Sequence, residues 1–158
     1  MLSLIVAFCG CVNETVESNP EEYSGPSVTD LIEYDVPDGY FEWSNSQAGF
    51  GGPTITMQYA EGPEEDATES CLNVDLLYDT PSDISLEEEM KGMEYERTID
   101  VDGEVGYITR AAVEGTKDKT LELTVEHNGS RFLVMMDVPV SKEREAAFYE
   151  LVNSIRFK

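Results

Sequence analysis

Two dipeptides constrain this chain more than any other feature. Asp102-Gly103 stands between Thr98-Ile99-Asp100-Val101 and Val105-Gly106-Tyr107-Ile108. Asn128-Gly129 stands between Leu121-Glu122-Leu123-Thr124-Val125 and Arg131-Phe132-Leu133-Val134. Asp-Gly and Asn-Gly accept the positive φ angles of type I′ turns, whose twist matches that of the strands they join. Each pair therefore predicts a two-residue hairpin, and the second half of the chain is committed to antiparallel sheet. Thr54 to Tyr59 and Leu72 to Leu76 alternate with period two, as half-buried strands do. Tyr40 to Trp43 carries large apolar residues, and Leu31 to Val36 reads as an extended start halted by Pro37-Asp38-Gly39. Phe132 to Val138 is nearly continuous in apolar residues, which predicts a central strand covered on both faces. Ala48 to Pro53 and Glu61 to Ser70 are loops by composition.

Two helices complete the set. In Ser85-Leu86-Glu87-Glu88 the serine oxygen can take the N3 amide while Glu88 reaches back, a capping box. Leu86, Met90 and Met93 then share one face, and Gly92 marks a weak end. Glu87, Glu88 and Glu89 occupy the first turn, where the helix dipole favours negative charge. Ser141 caps a closing helix whose stripe is Phe148, Leu151, Val152 and Ile155, with residues 153–157 leaving it. The expected fold is α+β, one antiparallel sheet flanked by helices, within a single domain over residues 27–158.

The N-terminus reads differently. Leu2 to Phe8 is apolar but far shorter than the roughly 20 residues that span a bilayer. With Gly10-Cys11 after it, it reads as a signal remnant ending in a lipobox over residues 1–11, although Phe8, Cys9 and the lack of an early Lys or Arg depart from the usual form. Residues 12–26 hold Glu14, Glu17, Glu21, Glu22, two prolines and no basic residue, the composition of a solvated tether. The expectation is lipidation at Cys11 and a location on the outer face of a cell membrane, with contact to the membrane through lipid alone. That leaves Cys71, in an apolar stretch, as a buried and inert thiol. Asn13 and Asn128 each begin a glycosylation sequon.

Charge narrows the function. The 33 Asp+Glu against 10 Lys+Arg give a formal net charge of −23. Such a surface repels phosphate backbones and anionic head groups, so nucleic acid is not an expected partner. Three readings of the acidity stay open: solvation in a salt-rich medium, a cationic or basic protein partner, and a divalent-cation site. Carboxylates gather at Asp100, Asp102 and Glu104 around the first turn, and at Glu64, Glu65 and Asp66 in a loop. Calcium takes roughly six to eight oxygens, many of them carboxylate. The first cluster matches part of an EF-hand loop, but Thr98 and Thr109 stand where its first and last acids belong, and both clusters also read as solvated turns. His127, before the Asn-Gly pair, reads as a solvated residue. No nucleophile elbow, phosphate loop or soft-metal set occurs, so the expectation is a non-enzymatic protein without a resident cofactor.

The order Tyr34-x-x-Pro37-x-Gly39-Tyr40, a capped helix after Pro-Ser-Asp, a strand with Val101-Asp102-Gly103, a long hairpin and a closing Phe148-Tyr149-Glu150-Leu151-Val152-Asn153-Ser154-Ile155-Arg156-Phe157 resembles the PsbP-like family over residues 30–158. The resemblance implies an antiparallel sheet sandwiched by helices. It implies a binding or assembly role rather than catalysis: members include extrinsic photosystem II subunits that help retain metal and chloride, a eukaryotic relative that binds a small GTPase, and small prokaryotic lipoproteins. No residue set here matches a family ligand site. The sequence thus points to a lipid-anchored binding or accessory module of the cell envelope with an envelope or surface protein as partner, or alternatively to a calcium-binding surface protein. If Cys11 carries the anchor, Cys11→Ser moves the protein from the membrane fraction to the soluble fraction; a variant that stays with the membrane removes the anchor.

Overall fold

Both turns form as read. In the computed structural model, which describes residues 26–46, 54–77 and 84–158, Asp102 and Gly103 have φ of 50° and 91°, and Asn128 and Gly129 have 50° and 79°. They close the hairpins of β5 (Arg97–Val101) with β6 (Glu104–Thr109) and of β7 (Leu121–His127) with β8 (Ser130–Met136). Ahead of these lie α1 (Val28–Leu31), β1 (Ile32–Glu33), β2 (Tyr40–Ser46), β3 (Thr54–Glu61), a 3-10 turn at Glu64–Asp66, β4 (Leu72–Leu77) and α2 (Leu86–Met90). The chain closes with α3 (Lys142–Ser154) and β9 (Arg156–Phe157).

The fold is α+β. Seven antiparallel strands run in the order β2-β3-β4-β8-β7-β6-β5, and β1 pairs with β9 in a small second sheet. The hairpin strand β8 is central, with three strands on each side. Its non-local pairing is with β4, from Leu72 against Met136 to Leu77 against Arg131. Side chains alternate across a strand, so this register fixes two faces. The inner face collects Leu72, Val74 and Leu76, Leu121, Leu123 and Val125, and Phe132, Val134 and Met136, all buried. Against it lie Phe148, Leu151 and Val152 of α3 and Ile155 just beyond its end, with Val28 and Ile32. The outer face of β8 carries Arg131, buried, and Leu133 and Met135, half-buried. The central position is as expected; the covering of the outer face is partial, because only the five-residue α2 is laid on it among the described residues.

Local signals explain the helix ends and also correct several expectations. Ser141 Oγ accepts from Arg144 N at 3.2 Å and Ser85 Oγ from Glu88 N at 3.3 Å, so both N-caps form, with only the serine half of the expected box at Ser85 among the described contacts. The helix after Ser85 stops at Met90, so Met93 lies beyond it and is 56% exposed rather than on a buried face. The start at Leu31 is not extended: Ser27 and Asp30 form a capping box around one helical turn, and the strand begins at Ile32. Asn153 and Ser154 remain helical, and the departure comes at Ile155. Strand β8 ends at Met136, before the cis Val138-Pro139 bond.

Gly106 shows how tightly the inner face is closed. A Cβ there would stand 2.6 Å from Leu123 Cδ1 and 2.9 Å from Val101 Cγ2. Gly106→Ala should therefore lower the unfolding free energy by about 1–3 kcal/mol, the usual cost of overpacking. Gly92→Ala, where the nearest atom is Glu89 O at 4.0 Å, should change it little. Urea denaturation of the two variants distinguishes them; equal stabilities would contradict the packing described.

Candidate functional site

The residues singled out by sequence are put to structural use, each separately. Asp100 Oδ1 accepts from Gly103 N at 3.3 Å and stabilises its own turn. Asp102 Oδ2 accepts from Phe157 N at 2.8 Å, and its other oxygen lies 3.9 Å from Arg156 Nε. Glu104 Oε1 lies 2.8 Å from His127 Nδ1. Glu64, Glu65 and Asp66 form the exposed 3-10 turn. Among the described residues, no three of His, Cys, Asp and Glu converge as a metal-binding group. Asn128 is exposed in the second turn, and Cys11 and Asn13 lie outside the described residues. Cys71 is buried and free, and burial pushes its thiol pKa up, which disfavours the thiolate.

His127 is not a solvated turn residue. Its ring stacks on Phe157 with centroids 4.2 Å apart and planes 9° from parallel. With the proton on Nδ1 it donates to Glu104, and Nε2 accepts from Asn128 Nδ2 at 2.9 Å. Together with Asp102 it holds β9 against the sheet, while Lys158 N donates to Leu31 O at 3.0 Å. Sequence reasoning missed this because Phe157 approaches from 30 residues away along the chain.

Arg131 was also missed, and it organises the outer face. Its guanidinium is nearly buried, donating to Glu126 Oε2 at 3.1 Å, to Ile84 O at 3.1 Å and to Glu89 Oε2. Glu126 Oε2 also accepts from Leu86 N at 3.2 Å, at the first turn of α2. A buried charge needs paired partners, and here those partners are what fasten α2 to the sheet. The sequence held one hint: an arginine at the head of an apolar strand, in a chain so short of cations, must be paired.

Beside this anchor α2 and the sheet enclose a trough of about 460 Å³, the size of a small-molecule pocket. Leu77, Leu133, Leu86, Met90 and Met93 supply its apolar wall, and Glu89, Glu94, Glu122, Arg110 and Arg131 its polar margin. Arg110 is held by Glu96 at 2.7 Å and Glu145 at 2.8 Å, so both arginines are already neutralised by glutamates. Around α2 the surface stays apolar. Of six large apolar residues exposed among the described ones, Ile84, Met93, Tyr95 and Val105 lie at or near it. Tyr95 meets Tyr107 edge to face at 5.2 Å, and Tyr107 packs with Leu86 and Met90.

The same face is polar on the β3–β4 side. Asn73 and Asp75 are buried there, and Asn73 Nδ2 donates to Asp137 Oδ2 at 3.1 Å. Burial, the largest influence, raises the pKa of both Asp75 and Asp137. No family model, curated protein or solved structure matches the chain.

The raised pKa of Asp75 has a definite sign. The folded state holds the proton more tightly than the unfolded chain, whose value is near 3.8. The resulting stabilisation is complete below that pH and is lost as pH rises through the higher folded value. Above it a charge stays buried at a cost. Asp75→Asn should therefore raise the thermal midpoint at pH 7 in metal-free buffer and make no difference below pH 3.8. A midpoint lowered at pH 7 would show the carboxylate to be stabilising.

Proposed function

We propose that this chain is a non-enzymatic, lipid-anchored binding module of the cell envelope, and that its binding surface is the trough beside α2. The observation carrying this reading is the apolar wall of that trough within an acidic margin. The apolar part favours a partner that buries aliphatic or aromatic side chains. The margin supplies Glu89, Glu94 and Glu122, with Glu87 and Glu88 exposed on the same helix, while both nearby arginines are engaged. The field of a chain with net charge −23 extends the same preference over the whole surface. The partner is accordingly a basic, amphipathic segment of an envelope or surface protein. The PsbP-like resemblance supports the same kind of role, and the apolar run ending at Cys11 supports the anchor.

The test uses methyl-labelled methionine in the full chain, read by NMR, with a lysine–leucine peptide as probe and a glutamate–leucine peptide as control. The basic peptide should shift the Met90 and Met93 methyl signals saturably, with affinity falling about tenfold or more between 50 and 200 mM salt if several charges are engaged. Leu133→Trp, which fills the trough, and Met93→Glu should both abolish the shift. Shifts spread evenly over all methionines, or unchanged in those variants, would sink the proposal.

A further inference from the structure

On the inner face, beside β2 and β3, a second cavity of about 280 Å³ opens to solvent. Tyr34 and Tyr59 line it, with Ile32, Val36 and Met57 as its apolar wall and Glu42 at its margin. The sheet pairing puts Glu42 directly opposite Tyr59, and residues opposite one another share a face. Met57 projects from that face too, two residues along β3. Tyr34, just after β1, reaches the same place through its hydroxyl, 2.7 Å from that of Tyr59.

The cavity is built to attract positive charge. The two tyrosine rings stand 6.3 Å apart at 88°, and the face of each ring is electronegative. Tyr34 is half-buried and Tyr59 only 3% exposed. Tyr34 therefore supplies the open aromatic surface, and Tyr59 holds it in place. Burial, the largest influence, and the Glu42 carboxylate both push the pKa of these hydroxyls up, so neither ionises near neutral pH. Of the two carboxylates lining the cavity, Glu33 is occupied: Lys158 Nζ lies 3.3 Å from it and also donates to Thr29 O at 2.7 Å. Glu42 makes no ion pair or side-chain hydrogen bond among the described residues. One carboxylate is thus left uncompensated beside an aromatic ring.

The walls decide which cation fits. Calcium or magnesium needs roughly six oxygens or retains its water. Here one free carboxylate and two phenolic oxygens face three apolar side chains. In an alkylated ammonium the charge is spread beneath methyl groups, so the ion is weakly hydrated. It can pack on the apolar wall while the ring and the carboxylate attract it. Val36, 41% exposed, is the apolar surface that such a group would cover. We propose that the cavity formed by Tyr34, Tyr59, Glu42, Val36 and Met57 binds a small quaternary ammonium ion of the choline class. The site goes beyond the partner-binding role of the trough and shares no residue with its lining.

The experiment is an NMR titration of the full chain, methyl-labelled at methionine, in which choline chloride replaces NaCl at constant ionic strength. Met57 should shift saturably in the millimolar range while Met90 and Met93 at the trough stay fixed, so failure at either site leaves the other readable. The uncharged tert-butyl analogue of choline should bind about fivefold more weakly or worse. Glu42→Gln should weaken choline binding by about threefold or more, and Tyr34→Leu by about fivefold or more. Tyr34→Phe, which keeps the ring and loses the hydroxyl, should bind within about twofold of the parent. Circular dichroism checks that each variant is folded. A free solute and a lipid head group carry the same cation, and vesicles separate them. Co-sedimentation with phosphatidylcholine vesicles that free choline displaces assigns the cation to lipid; choline binding without such displacement assigns it to a solute. Absence of a saturable Met57 shift overturns the site. So does equal binding of the uncharged analogue, a shift that NaCl reproduces, or binding that survives in both Glu42→Gln and Tyr34→Leu.

Discussion

Strand β8 is the element on which the rest of the structure depends. It is drawn to β7 by a two-residue turn and to β4 by a pairing between residues some 60 apart in sequence, for example Leu72 with Met136. The second pairing carries the entropic cost of closing a long loop, and burial offsets it. Phe132, Val134 and Met136 pack beneath α3, beside Val74 and Leu123 across the sheet. Its other face carries Arg131, which secures α2. One strand therefore assembles the core with one set of side chains and presents the candidate binding face with the other.

Charge scarcity shapes what is built on that frame. With 10 Lys+Arg among 33 Asp+Glu, cations are placed where they can tie elements together. Arg110 links Glu96 to Glu145 of α3, Arg144 reaches Glu61, and Arg131 reaches Glu89 and Glu126. Exposed pairs of this kind contribute little individually. Arg131 differs because it is nearly buried, where removing a charge would strand its partners. Cations are outnumbered around α2 as elsewhere: Glu87 pairs with Lys91 and Glu89 with Arg131, while Glu88 and Glu94 add further carboxylates beside exposed Met93 and Tyr95, so apolar and acidic character occur together there.

Legibility followed locality. The Asp-Gly and Asn-Gly turns, the caps at Ser85 and Ser141 and the stripe of α3 were readable because each is decided within a few residues by φ preference, a single hydrogen bond or helical spacing. The box at Ser27 and Asp30 has the same local character and was overlooked beside an apolar run that reads as extended. Met93 fits the helical spacing, yet the helix ends at Met90 and leaves it at the lip of the trough. Carboxylates clustered in sequence at residues 100–104 each take a different partner, whereas Asn73 and Asp137 were brought into hydrogen-bond contact by the β4–β8 pairing, which no local pattern encodes.

The sequence by itself determined the fold class, the two hairpin turns, the central strand, the closing helix and the sign of the surface potential, because these rest on backbone preference, side-chain periodicity and formal charge. Tertiary structure alone decided that His127 stacks on Phe157, that Arg131 holds α2, that a trough opens beside it and that two oxygens of β4 are buried without a partner among the described residues. Each of these depends on which residues distant along the chain meet across a strand register, and a register is selected by the burial of the whole face together.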